Sequence, residues 1–231
     1  MKKKISILIY PLIAMGFLLI LTYGFKKDGN NSPNETDTVT DIDGNVYQTV
    51  TIGKQTWMVE NLKVTKYRNG DAIPNVTNGT EWSNLTTGAY CEYDNVARNS
   101  AVYGKIYNWY AVADSRNIAP TGWHVPSDDE WTTLTTFLGG ELYAGNKLKE
   151  KGTAHWQSAN YGATNETGFS ALPGGSYSGG SFYNLGSGGY WWSSTERSSH
   201  AWYRYMYYNY GGVFRVSSNQ SVGCSVRCLR D

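Results

Sequence analysis

Few residues in this chain have the types and spacing that chemistry needs. The clearest group lies in Pro120–Trp131, PTGWHVPSDDEW, where His124 precedes the carboxylates Asp128, Asp129 and Glu130. A histidine beside acids can act as a general base or join a metal site. The spacing points instead to the start of a helix. Ser127 and Glu130 stand as a capping box, serine oxygen to the N3 amide and glutamate back to the cap amide. Asp128 and Asp129 fall in the first turn, where the helix dipole favours negative charge. Trp131, Leu134 and Leu138 form an apolar stripe, and Gly139–Gly140 ends the helix. His124 sits on the extended approach between Trp123 and Val125 and is expected to be packed and hydrogen-bonded. His155 and His200 are each isolated. No catalytic residue, metal site or cofactor is expected from these groups.

The thiols are the second candidates. Cys91, Cys224 and Cys228 are too few for a disulfide framework, and their odd number leaves at least one unpaired or paired between chains. On one strand Cys224 and Cys228 would share a face, but Cα atoms more than about 7 Å apart do not bridge easily. They read as small buried residues of a terminal strand. The competing reading is an oxidase-like thiol pair, which requires both sulfurs in an open cleft, with copper binding or reactivity toward thiol reagents. Asp41-Ile42-Asp43-Gly44-Asn45 starts like a calcium loop but lacks the terminal glutamate, so an Asp-Gly turn is expected. The pairs Gly174–Gly175, Gly179–Gly180 and Gly188–Gly189 read as tight loops. None follows a strand and opens a helix, so none is a phosphate cradle.

The elements that must position these residues follow from pattern. Residues 2–21 combine three lysines with the apolar run Ile5–Leu21, the layout of an export signal or an uncleaved anchor, so residues 1–25 are assigned to it. A bacterial lipoprotein signal would place a cysteine where Phe25 stands, so lipidation is not expected. Residues 26–39 are a polar tether, and residues 40–231 form one exported domain at the cell envelope. Val46–Ile52 and Gln55–Val59 alternate around Gly53–Lys54 and predict a hairpin. Residues 65–100 read as a polar excursion with few anchors. Ile106, Trp109, Tyr110 and Ala113 recur at helical spacing and predict a helix over Tyr103–Ala113. A short helix is expected around Leu142–Lys149, and strands fill the C-terminal third. With net charge +1, no global field favours nucleic acid or an anionic membrane, so the membrane is met only through the N-terminal segment.

Function is best sought among the aromatics. Gly 26, Tyr 19 and Trp 9 accompany only 17% charged residues, and ten aromatics but one acid lie between Tyr190 and Arg215. Strand alternation sends Trp202, Arg204, Met206 and Tyr208 to one face and Tyr203, Tyr205 and Tyr207 to the other. One face is core; the other either exposes tyrosines among Arg, Ser, Gly and Asn, the composition of a binding surface, or packs its aromatics as well, in a twisted sheet covered on both sides. The expected ligand-binding residues are Tyr205, Tyr207, Tyr210, Phe214, Arg215, Val216, Ser217, Ser218 and Ser221. The expected partner is an extracellular protein or glycan.

The blocks GAYCEYDN, YGKIYNWYAV, PTGWHVPSDDEWTTL, LGGELYAGNKLKE, NETGFSALPGG, WWSSTE and SVRCLRD, in this order, resemble the Fibrobacter succinogenes major paralogous domain family from about Thr40 to Asp231. The resemblance implies an α+β, C-type-lectin-like fold, similar in plan to formylglycine-generating enzymes. Two short helices would pack on twisted antiparallel strands, with long Gly/Ser/aromatic loops. It also implies an exported surface protein serving adhesion or ligand binding, or a structural subunit of a surface appendage. Ala119 stands where the family commonly has cysteine, which leaves Cys228 without the partner the resemblance implies. The calcium signatures of sugar-binding lectins are absent from the sequence. Some lectin-fold proteins of this kind are diversified by retroelements that mutate adenines. Residues 205–222 are nearly all of the types that altered asparagine codons encode.

Overall fold

The computed structural model describes residues 37–231, which fold as mixed α+β dominated by strands. The expected signal, and the tether as far as residue 36, lie outside the described residues. Strand β1 (Thr38–Thr40) already pairs antiparallel with β2 (Val46–Ile52), so the end of the expected tether belongs to the fold. Between them Asp41 makes the expected turn: its Oδ1 accepts the amides of Asp43 and Asn45, and Gly44 donates to its carbonyl. The hairpin of β2 with β3 (Gln55–Met58) has the expected register, Ile52 opposite Gln55, with Gly53 at a φ of +62° in the two-residue turn.

Residues 65–100 are better anchored than their polarity suggests. Tyr67, Ile73, Val76, Trp82 and Tyr90 are all buried. Helix α1 (Gly79–Ser83) and strand β4 (Tyr90–Cys91) lead to helix α2 (Ala97–Tyr103). The helix expected over Tyr103–Ala113 forms only over its last five residues. Gly104 takes a φ of +77° and ends α2, Ile106–Asn108 is strand β5, and only Trp109–Ala113 is helical, as α3. The helical spacing misleads because Ile106 and Trp109 point into different cores. Asn108 makes the switch: its side chain accepts the amides of Ala89 (3.0 Å) and Ala111 (3.1 Å). It satisfies a strand and caps a helix at once.

Strand β6 (Trp123–His124) precedes α4 (Asp128–Phe137), which opens with the expected Ser127/Glu130 capping box, and α5 (Glu141–Leu148) follows the Gly139–Gly140 break. The remaining strands are β7 (Gly174–Ser178), β8 (Ser181–Leu185), β9 (Gly188–Arg197), β10 (His200–Tyr207), β11 (Phe214–Asn219), β12 (Gly223–Cys224) and β13 (Leu229–Arg230). Two sheets result, in the orders β1-β2-β3-β13-β6 and β11-β10-β9-β7-β12-β5-β4, with β8 beside β7. The last strand thus lies against the first hairpin. Buried indoles knit the layers: Trp57, Trp131 and Trp191 share one cluster, with Trp57 and Trp131 ring centres 4.8 Å apart.

Of the three glycine pairs, only Gly179–Gly180 closes a tight turn. Gly174–Gly175 and Gly188–Gly189 open strands that pair in parallel at Gly175 and Gly189. At Gly175 the close packing of β7 on β8 and on Tyr93 depends on a missing side chain. A Cβ on Gly175 would lie 2.5 Å from both the Tyr183 carbonyl oxygen and the Tyr93 ring, at a φ of +69°. Gly175→Ala is therefore expected to lower the unfolding free energy by about 2–4 kcal/mol in urea titration. Gly179→Ala, with nothing within 4 Å of the new carbon, should cost about 1 kcal/mol. Equal costs would show that strain, not close packing, dominates.

Candidate functional site

Strands β9, β10 and β11 build an aromatic face. The register sets Tyr205 opposite Phe214 on one side and Tyr190 on the other, and Tyr203 opposite Val216 and Trp192. Alternation divides β10 as expected: Arg204 and Met206 are buried, while Tyr203, Tyr205 and Tyr207 are half-buried. The rings are ordered by stacking, and Tyr203, Tyr205 and Tyr207 also pack against the core cluster that contains Tyr190 and Trp192. Tyr205 lies 4.5 Å from Phe214 at 13° and Phe214 lies 4.7 Å from Tyr210 at 28°, while Tyr190 stacks at 5.6 Å on the other side of Tyr205. Offset stacks of this kind add to burial energy and hold the rings in place.

Hydroxyl tips line the same face. Tyr190 donates to the Tyr207 hydroxyl at 2.9 Å and accepts from Asn184 at 2.7 Å. Burial pushes the Tyr203 hydroxyl up to about 12, and burial followed by the Tyr207 contact raises Tyr190. These hydroxyls stay neutral at ordinary pH. Ring faces and uncharged donors suit a neutral polar ligand.

The expected site residues divide. Tyr205, Tyr207, Phe214, Val216 and Ser218 share the aromatic face, and Tyr210, 36% exposed, joins it from the turn between β10 and β11. Arg215 and Ser217 do not belong to it. Arg215 pairs in register with Arg204 on the opposite face, and Ser217 faces Trp202 there, accepting from Arg197 at 3.0 Å. A strand cannot present consecutive residues to one side. Ser221 lies beyond β11 in a turn, its amide and hydroxyl both donating to Asn219. Tyr190 and Asn184 were not among the expected site residues, because only the pairing of β9 with β10 brings Tyr190 in, and only β8, lying beside β7, brings Asn184 to its hydroxyl. Tyr203 was legible from the alternation.

The opposite face is a support. Asp128, expected only to favour the helix dipole, is 4% exposed and bridges two arginines. Arg204 donates to its Oδ1 at 2.5 Å and Arg215 to its Oδ2 at 2.6 Å. Burial alone would raise this carboxyl, but hydrogen bonds from Arg215 and Arg204 outweigh it and hold it below the usual range. Arg215 also lies 3.8 Å over the Trp202 ring, a cation–π contact. His124 is hydrogen-bonded as expected, to Glu130 at 3.0 Å and Asp231 at 2.7 Å.

The three cysteines are free and buried. Burial pushes the Cys224 and Cys228 thiols up, and neither lines a cleft as the oxidase reading requires. Ala119 and Cys228 lie in the same buried cluster. Among the described residues, no group of three or more His, Cys, Asp or Glu is placed to hold a metal, and no helix is long and apolar enough to cross a membrane.

The Fibrobacter succinogenes major domain matches residues 50–230, which covers the larger sheet, the whole aromatic face and the smaller sheet from the end of β2 onward. The chain belongs to this family. Searches of the curated proteins and of the solved structures found no match. In this major-domain protein the aromatic face lies wholly inside the matched region, on the last long hairpin before the closing strand β13.

Proposed function

We propose that this major-domain protein is an exported, surface-associated binding module without catalytic chemistry, recognising an extracellular glycan or protein through the aromatic face. The stacked series Tyr190–Tyr205–Phe214–Tyr210 carries the reading: it is preorganised, half-open and uncharged. Tyrosine covers a large area at low entropic cost and adds a polar tip. A C-type-lectin-like plan is supported by the terminal strand β13 beside the first hairpin and by the long loops between the two sheets. Diversification by a retroelement would suit Tyr205, Tyr207, Phe214, Val216 and Ser218, which alternate onto one face. A second reading, a structural subunit of an appendage, is favoured by β11, whose outer edge is unpaired in the sheet order. An unpaired edge can accept a strand.

The test is a glycan and host-protein array probed with the protein and with a Tyr205→Ser/Tyr210→Ser variant. Hits should weaken by about tenfold or more in the variant, the loss typical of central aromatic anchors. Arg215→Ala, on the opposite face, should leave the hits unchanged. Hits that survive the tyrosine changes in a folded variant would dismiss the aromatic face as the site.

A further inference from the structure

Lys149 follows α5, and its side chain is fully buried. Its ammonium donates to three backbone carbonyls: Tyr161 at 3.1 Å, Tyr207 at 3.0 Å and Tyr210 at 2.8 Å. These use all three of its protons. None of the ion pairs among the described residues includes it. It lies 5.6 Å from the centre of the Trp156 ring. Burial without a counter-charge pushes the ammonium down to about 8. An unpaired buried cation is costly, and a methionine would fill similar space without that cost.

The carbonyls it gathers explain the cost. They come from the loop after α5, from the end of β10 and from the turn that carries Tyr210. That turn rests on α5 through backbone bonds, Asn146 donating to the Gly211 carbonyl at 2.8 Å and Val213 to that of Glu141 at 2.8 Å, and through Val213, which is buried in one cluster with Ala144 and Leu148. Gly145 permits the approach, since a Cβ there would sit 2.3 Å from the Gly212 carbonyl oxygen. Tyr161 donates to the Tyr208 carbonyl at 2.6 Å and closes the loop onto the turn. Carbonyl oxygens converging from separate segments repel one another unless a cation sits among them.

We propose that Lys149 is a positioning residue, a built-in cation whose three carbonyl bonds hold the turn 208–213 on α5 and so fix the Tyr210 ring against Phe214. Its importance for ligand rests on the aromatic face being the binding site; the carbonyl cage does not. The cage is specific for a compact monovalent ammonium, because its three acceptors match three N–H donors. A Lys149→Ala protein lacks the equivalent of propylammonium.

The experiment is amide hydrogen exchange on the whole protein, read in peptides over 208–213 and, as reference, over β2 and β3. In Lys149→Ala, exchange in 208–213 should quicken by about tenfold or more, with the reference unchanged. Added propylammonium chloride should restore protection, and n-propanol at equal concentration should not. Equal rescue by propanol, or unchanged exchange in the turn, overturns the proposal. Should the alanine variant fail to fold, Lys149→Met decides: it should loosen the turn, and full protection in it overturns the proposal. A failure of the array test would remove the aromatic-face reading without altering this exchange result.

Discussion

Asp128→Asn is expected to lower the unfolding free energy by about 3–5 kcal/mol, a large part of a typical domain's total. Arg204 is fully buried, and its charged contact is Asp128; its other acceptors are the Asp128 carbonyl at 3.1 Å and the Thr132 hydroxyl at 3.0 Å. Removing the carboxylate's charge leaves a guanidinium in the interior without compensation. Arg215→Ala should cost much less, about 1 kcal/mol, because its side chain is 39% exposed and water takes over its solvation. The pH dependence follows from the same pair. Asp128 has a carboxyl held low in the folded protein, so its contribution is complete above the unfolded value near 3.9 and fades as pH falls through the folded value. Urea titrations of the two proteins should therefore differ most near neutrality and converge in acid. A difference that stays constant down to the lowest pH at which both fold would refute the ion-pair account.

Arg227→Ala is expected to be as severe, about 4–5 kcal/mol in the same assay, from a cavity of arginine size and stranded acceptors. Arg227 is fully buried and, among the described residues, has no carboxylate partner. Its guanidinium donates to the Phe169 carbonyl and, through Nε at 3.2 Å and Nη2 at 2.9 Å, to Asn61 Oδ1. It lies 4.2 Å over the Phe169 ring. Asn61 Oδ1 also accepts from the Trp191 indole at 2.8 Å, so this group ties β9 to the segment after the first hairpin. Arg227→Lys keeps the charge but loses the planar fork and ring stacking, and should recover less than half of the loss. Full recovery by lysine would show that charge alone matters there. Both variants act beneath the β9–β10 sheet, so their effect on the aromatic face should be indirect, through stability.

Some of this architecture is written locally. The capping box of Ser127 and Glu130 needs four consecutive residues, and it forms as expected. The turn at Gly53–Lys54 and the alternation from Trp202 to Tyr207 likewise depend on near neighbours and backbone geometry. The helix expected over Tyr103–Ala113 fails for the opposite reason. Its periodicity was real, but Ile106 and Trp109 answered to two different cores, and tertiary burial overrode the local pattern. Gly175 and Gly189 were legible as glycines but not as the contact between two parallel strands.

The residue order by itself determined where helices start, where the chain turns and that one side of β10 would carry tyrosines, because such features depend on interactions within a few residues. It also carried the family blocks that the match over residues 50–230 bears out. Only the tertiary structure decided which partners those residues meet. Asp128 finds Arg204 across 76 positions, Asn61 finds Arg227 across 166, and Lys149 gathers carbonyls 12, 58 and 61 positions away. Such pairings follow from which strands and loops come to lie side by side, a property of the whole packed chain. The same cause divides the expected site, stacking Tyr205 on Phe214 on one face of the strands and pairing Arg215 with Asp128 on the other.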